Sequence, residues 1–319
     1  MTAFRRFAWV VLAYHVAVVA WGALVRATGS GAGCGQHWPM CNGQVVPISP
    51  ALETAIEFTH RATSGIALLL VAALVAFSRR AFPRGHAARR AAGFSALFIV
   101  TEALLGAGLV LFGWVAKDAS AGRGWAMALH LSNTFLLLAA LALTAGFSRP
   151  TESTTSDRAP GALPLLVALG ITATMIAGVS GAIAALGDTL FPATSFVEGL
   201  REELAPGTRV LLRLRIVHPL AAFAAAIALW GTAWVAAQAH AQRHVRRAAV
   251  ALATLVGAEL VAGVANVFLL APVWLQLVHL VLADAIWITL VLLVAWALAS
   301  TRERAAAAPT VPATAAAPR

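Results

Sequence analysis

Charge is scarce in this sequence: 11% of the 319 residues are Asp, Glu, Lys or Arg, against 60% that are hydrophobic. A water-soluble domain could not cover its core with so little polar surface, which excludes a freely soluble globular protein. Long polar stretches are missing too. The connections between apolar runs are short, whereas a soluble domain of ordinary size needs at least about 50 residues. Acidic residues are outnumbered 13 to 23, giving a net charge of +10, but the arginines form no face with interleaved aromatics, so a nucleic-acid surface is excluded as well. Only two cysteines are present, Cys34 and Cys41.

What the sequence does contain is apolar length. Eight stretches, roughly 7–27, 54–77, 91–115, 125–147, 163–187, 209–236, 248–271 and 273–298, each reach the ~20 residues a transmembrane helix needs. The expected solvent is lipid, and the expected fold class is all-α integral membrane. Arginines fall between the spans: Arg5 and Arg6 before the first, Arg79, Arg80, Arg84, Arg89 and Arg90 after the second, Arg149 and Arg158 after the fourth. Arg243, Arg246 and Arg247 follow the sixth, and Arg302 and Arg304 the eighth. In an eight-span bundle all these segments share one side, so the positive-inside rule places both termini in the cytoplasm of a cell membrane. The first run, with Arg26 at its far end, reads as a retained span rather than a cleaved signal. The segment 305–319 is Ala, Pro and Thr and reads as a disordered tail.

Both cysteines lie in the first external loop, on the oxidising side where a disulfide persists. The Gly- and Pro-rich stretch from Gly29 to Pro47 is tight enough for a bridge, and two free thiols are the plain alternative.

The second four spans echo the first four. Trp125 and His130 recur as Trp274 and His279, displaced by 149 positions; Glu102 and Gly106 recur as Glu259 and Gly263, displaced by 157; His60 recurs as His218, displaced by 158. The expected architecture is therefore two pseudo-symmetric parallel four-helix bundles, 1–150 and 151–304. Of nine histidines the repeat selects four, His60, His130, His218 and His279, each near the start of an even-numbered span entered from outside. Ionisable groups at that depth are costly and tend to be functional. Hydrogen-bonded core histidines are the bland reading, which four matched positions make hard to sustain. Two helices of a bundle can present one imidazole each to opposite faces of a flat ligand, the arrangement bis-histidine haem ligation requires. Zinc or copper would want further Cys, Met or carboxylate ligands converging on each pair, and no such set stands out in both halves. His15, His37, His86, His240 and His244 fall outside the repeat.

The halves differ beside the first histidine of each. Glu57-Phe58-Thr59-His60-Arg61 in one corresponds to Arg215-Ile216-Val217-His218-Pro219 in the other. Residues three apart share a helix face, so Glu57 and Arg215 are expected beside His60 and His218. A carboxylate there suits proton movement or stabilisation of developing positive charge, and an arginine suits a propionate or a raised potential. A reacting site in the first half and an electron-accepting site in the second follow. The structural alternative for Glu57 is an ion pair with Arg61.

The run from Gly22 to Cys34 (GALVRATGSGAGC), the WPMCNG of Trp38 to Gly43, the EFTHR of Glu57 to Arg61, the LLG of Leu104 to Gly106 and the PVWLQLVH of Pro272 to His279 together resemble the bacterial haem A synthase family over nearly the whole chain. The resemblance implies oxidation of the C8 methyl of haem O to the formyl group of haem A, the prosthetic group of terminal oxidases. It implies that His60 and His130 hold the substrate haem O, with Glu57 catalytic, that His218 and His279 hold a cofactor haem b through its iron, and that Cys34 and Cys41 form a disulfide. Arg26, Arg61 and Arg215 are candidates for propionate binding or support. The partners it implies are haem O, the haem O-producing protohaem farnesyltransferase, an electron acceptor, membrane lipid and a second copy of the chain. Some members carry a second cysteine pair between spans five and six. Here the segment 188–208 has none, and Phe191, Phe196 and Leu200 among charged residues suggest an amphipathic cover over the second site. The rival reading is a di-haem cytochrome b that only carries electrons; a transporter ranks below both.

Overall fold

A computed structural model describes residues 2–149, 161–207, 210–239 and 242–307. Arg158, His240 and 308–319 lie outside them. Among the described residues there are nine α-helices and no strand. In chain order they are α1 (Ala3–Ala27), α2 (Leu52–Ala81), α3 (Ala87–Leu111), α4 (Ala121–Gly146), α5 (Leu163–Leu190), the short α6 (Phe196–Leu204), α7 (Val210–Ala239), α8 (Arg243–Phe268) and α9 (Val273–Ala307). All but α6 are long and apolar enough to cross a membrane, so the chain is a multi-pass membrane protein with the eight expected spans. The last helix runs to Ala307, into the segment read as a disordered tail.

Polar residues set the helix ends. Thr2, Ser120 and Ser195 accept from the backbone N–H groups of Arg5, Arg123 and Glu198 and so cap α1, α4 and α6, while the His86 ring accepts from the Ala88 N–H and starts α3. α1 stops where Gly29 turns into the left-handed region (φ 70°) and a 3₁₀ turn, Ser30–Ala32, begins the loop to α2.

Packing runs from α1 to α2, α3, α4 and back to α1, and likewise from α5 to α7, α8, α9 and back to α5. The two rings meet where α1 and α4 touch α5 and α9. Phe135 of α4 stacks on Trp287 of α9 with ring centres 5.0 Å apart, and the Trp287 indole N–H donates to the Phe135 carbonyl at 2.7 Å. Leu138, Leu141, Leu290 and Leu293 fill out this seam. Outward, Leu69, Phe94, Leu104, Trp234 and Val261 are exposed. In water such a surface would drive aggregation; in lipid it costs nothing, and close packing rather than water exclusion holds the helices together. Spare hydroxyls are absorbed locally, as where Thr144 and Thr174 donate to the carbonyls four residues back.

Candidate functional site

Each of the four repeated histidines lies against a glycine of the preceding long helix. His60 on α2 faces Gly22 of α1, where a Cβ would come within 3.0 Å of the ring, and His130 on α4 faces Gly106 of α3, where the distance would be 3.8 Å. His218 on α7 faces Gly181 of α5 at 2.8 Å, and His279 on α9 faces Gly263 of α8 at 3.3 Å. Any larger residue at Gly22 or Gly181 would push an imidazole out of place. Sequence reading found Gly106 and Gly263 but passed over Gly22 and Gly181, whose displacement of 159 is the overlooked signal.

The rings of His218 and His279 stand 6.1 Å apart, centre to centre, with their planes at 78°. Two metal–imidazole bonds of about 2 Å, plus roughly 1 Å from each nitrogen to its ring centre, require ~6 Å. A single metal ion bound by both imidazoles would require a separation of this size. His60 and His130 are within coulombic reach of one another. Among the described residues no group of three or more His, Cys, Asp or Glu has metal-ligand spacing, which sets the site apart from zinc-type clusters.

One histidine of each half has a carboxylate beside it. Glu102 Oε1 stands 3.0 Å from His130 Nδ1, and Glu259 Oε2 stands 3.1 Å from His279 Nδ1. Both carboxylates face Nδ1 rather than Nε2, at ion-pair distance and without an aligned hydrogen bond. The repeat had flagged both glutamates, but the partners sit on different helices and sequence spacing does not show the contact. Asn133 and Thr134 also donate to Glu102, and Asn133 is held in turn by the Phe98 carbonyl and the Thr101 hydroxyl. Displaced by 149, the second half has Leu282 and Ala283, which donate nothing. His218 Nδ1 donates to the Ala177 carbonyl at 3.1 Å, with Ser180 Oγ at 3.4 Å. The buried His60 Nδ1 makes no hydrogen bond and, unlike the Nδ1 atoms of His130 and His279, has no carboxylate at ion-pair distance.

Cys34 and Cys41 form a disulfide, and both are buried. The loop is pressed onto the start of α2: a Cβ on Gly33 would lie 2.6 Å from the backbone of Glu53, so only glycine fits there. The Cys34 N–H donates to Glu57 Oε2 at 2.8 Å. The other Glu57 oxygen pairs with Arg61, whose second terminal nitrogen donates to the carbonyls of His37 and Met40. Glu57 is thus a buried carboxylate fixed between the disulfide loop and its own helix, one turn before His60, and the ion pair weighed as its structural role does form.

Arg215 occupies the matching position in the second half with reversed charge. Its guanidinium lies 2.9 Å from Asp188 and 3.7 Å from Glu203, and donates to the Phe191 carbonyl at 2.7 Å. Arg26 donates to the Ala185 carbonyl and the Thr189 hydroxyl, both at 2.7 Å, and to Gln276 at 2.8 Å. Arg26, Arg61 and Arg215 therefore all support protein structure through carbonyl, hydroxyl, amide and carboxylate groups of the chain itself. The segment between α5 and α7 forms α6, an amphipathic helix with Phe196, Val197, Leu200 and Leu204 exposed, and Phe196 against Phe268. His86 stacks on Phe82, while the His15 ring, buried inside α1, donates to the Val11 carbonyl at 2.7 Å.

Fold and site define a class: a multi-pass helical membrane protein carrying two sets of paired imidazoles near one end of its bundle. Its sequence matches the profile of the COX15-CtaA family, described as cytochrome oxidase assembly protein, over residues 5–291, and the chain belongs to that family. It is 50% identical over 292 residues to a Thermus thermophilus protein named protoheme IX farnesyltransferase, a match covering 92% of this chain and 48% of the relative. The chain thus spans about half the length of that relative. It is 49% identical over 92 residues to the heme A synthase of Shouchella clausii, covering 29% of this chain and 31% of the other. With the heme A synthase of Bacillus mycoides the identity is 46% over 92 residues, covering 29% and 30%.

Proposed function

We propose that this protein is a haem A synthase, an oxidoreductase that converts the C8 methyl of haem O to the formyl group of haem A for terminal oxidase assembly. The observation that carries the reading is the 6.1 Å separation of the His218 and His279 rings within a member of this family. We assign His60 and His130 to the substrate haem O, and His218 and His279 to a resident haem b. The two sites lie in pseudo-symmetric parallel four-helix units, 1–150 and 151–304, with the histidine ends outward and both termini in the cytoplasm of the cell membrane.

When bound, haem iron supplies one-electron redox chemistry at each site. The protein supplies position and proton handling. Glu57, whose carboxylate oxygens are fixed by the Cys34 N–H and Arg61, would hold or accept a proton for the oxidation of a haem bound by His60 and His130. The disulfide keeps the loop that delivers this N–H in one shape. Arg215, tied to Asp188, Glu203 and the Phe191 carbonyl, anchors α6 over the second site. A haem O-producing transferase is the proposed partner, because the chain matches about half of a relative bearing the name protoheme IX farnesyltransferase.

A di-haem electron carrier would use the same four histidines but has no need of a buried glutamate tied to a disulfide loop in one half only. Co-expression with a haem O source, followed by haem extraction and chromatography, tests the reading. Haem A or a hydroxylated haem O is expected; haem b alone, with haem O left unconsumed, overturns it.

A further inference from the structure

Three of the four imidazoles are held from behind and one is not. Glu102 lies 3.0 Å from His130 Nδ1 and Glu259 lies 3.1 Å from His279 Nδ1, ion-pair contacts without an aligned hydrogen bond, and His218 Nδ1 donates to the Ala177 carbonyl, while the buried His60 Nδ1 has neither a carboxylate at that distance nor a hydrogen bond. A hydrogen bond from the rear ring N–H fixes the orientation of a metal-bound histidine and raises its basicity, more so when the acceptor is an anion. The two imidazoles of the first site are therefore unequal. Glu102 is itself held by Asn133 and Thr134, so its grip on His130 is rigid. His60 rests on the bare face of Gly22, where no side chain blocks its ring.

The second site lacks this contrast, since both of its imidazoles have acceptors. The difference also lies on the reacting side: His60 is on α2, one turn beyond Glu57, and the next residue, Arg61, is tied to the disulfide loop. An imidazole that moves away there opens space next to the one buried carboxylate that faces that loop.

We propose that the first site is built to open on one side, with His130, tied to Glu102, as its fixed imidazole and His60 as its releasable one. Glu102 is then a positioning residue that acts through His130. The proposal rests on the haem reading above and goes beyond it by assigning unequal roles to the two first-site histidines.

The test uses the full-length protein in detergent, loaded with protohaem and reduced with dithionite, and titrated with carbon monoxide under optical detection. Carbon monoxide binds only where an axial imidazole lets go, so uptake by one of the two haems is expected, with the other unreactive. His60→Ala should keep that haem and bind carbon monoxide without the slow displacement phase, whereas His130→Ala should lose it. Glu102→Gln should weaken its retention on the order of 10–100-fold and raise its midpoint potential, a shift that a purely structural role would not produce. Refusal of carbon monoxide by both haems, equal uptake by both, or haem loss in His60→Ala matching that in His130→Ala would overturn the proposal. Wild-type protein that gives no bis-imidazole spectrum would instead overturn the haem reading on which it stands.

Discussion

At the scale of single residues, the chemistry concentrates on Glu57. Its two oxygens are committed to different elements, one to the Cys34 N–H and one to Arg61, and its side chain is only 4% exposed. Glu57→Gln keeps the shape and one acceptor but removes the charge. We expect haem content close to wild type and turnover down by about 10²–10⁴-fold, the usual contribution of a positioned acid or base. Haem extraction together with product chromatography checks it, and wild-type turnover in this variant would remove Glu57 from the mechanism. The four histidines were legible in the sequence because duplication repeated them at matched places. Glu102, Glu259, Gly106 and Gly263 were repeated as well, but their contacts with the histidines were not legible, and Gly22 and Gly181 were passed over. The contact between Glu102 and His130 crosses from α3 to α4, and no regular spacing announces a pair made across helices.

At the scale of elements, the eight spans were readable because lipid imposes length and apolarity on each, and the ends of the spans lie within about five residues of the expected runs. The short α6 is different: its nine residues mix charge with Phe196, Val197 and Leu200, and it is tied down through Glu203 to Arg215 of α7 and through Phe196 to Phe268 of α8. Arg215→Ala leaves Asp188 and Glu203 without their cation and the Phe191 carbonyl without its donor. A loosening of α6 by roughly 1–3 kcal/mol is expected, since each buried group left unpaired costs about that much. Hydrogen exchange should then rise across 192–207 while the exchange of α2 and α4 stays unchanged; protection equal to wild type would show that α6 is held by its apolar face alone.

At the scale of the whole molecule, the two helix rings are joined along a seam in which α1 and α4 pack on α5 and α9. Phe135 and Trp287 stack in the seam, and the indole N–H closes it with a hydrogen bond to a main-chain carbonyl. Trp287→Ala should destabilise the protein by about 3–5 kcal/mol and lower the thermal midpoint in detergent, without altering which histidines carry haem. An unchanged midpoint would mean that the seam contributes little. Sequence comparison of the halves could not foresee this seam, because it is made by what they do not share. Arg26 reaches out of α1 to Thr189 and Gln276, and the residue displaced from it by 159 is Ala185, whose own carbonyl receives the guanidinium. A tandem made by copying the amino-terminal unit twice would place a second arginine at that spot, cation against cation. The seam thus needs unlike faces: an arginine enters from one side, and the other side meets it with a main-chain carbonyl, a hydroxyl and an amide.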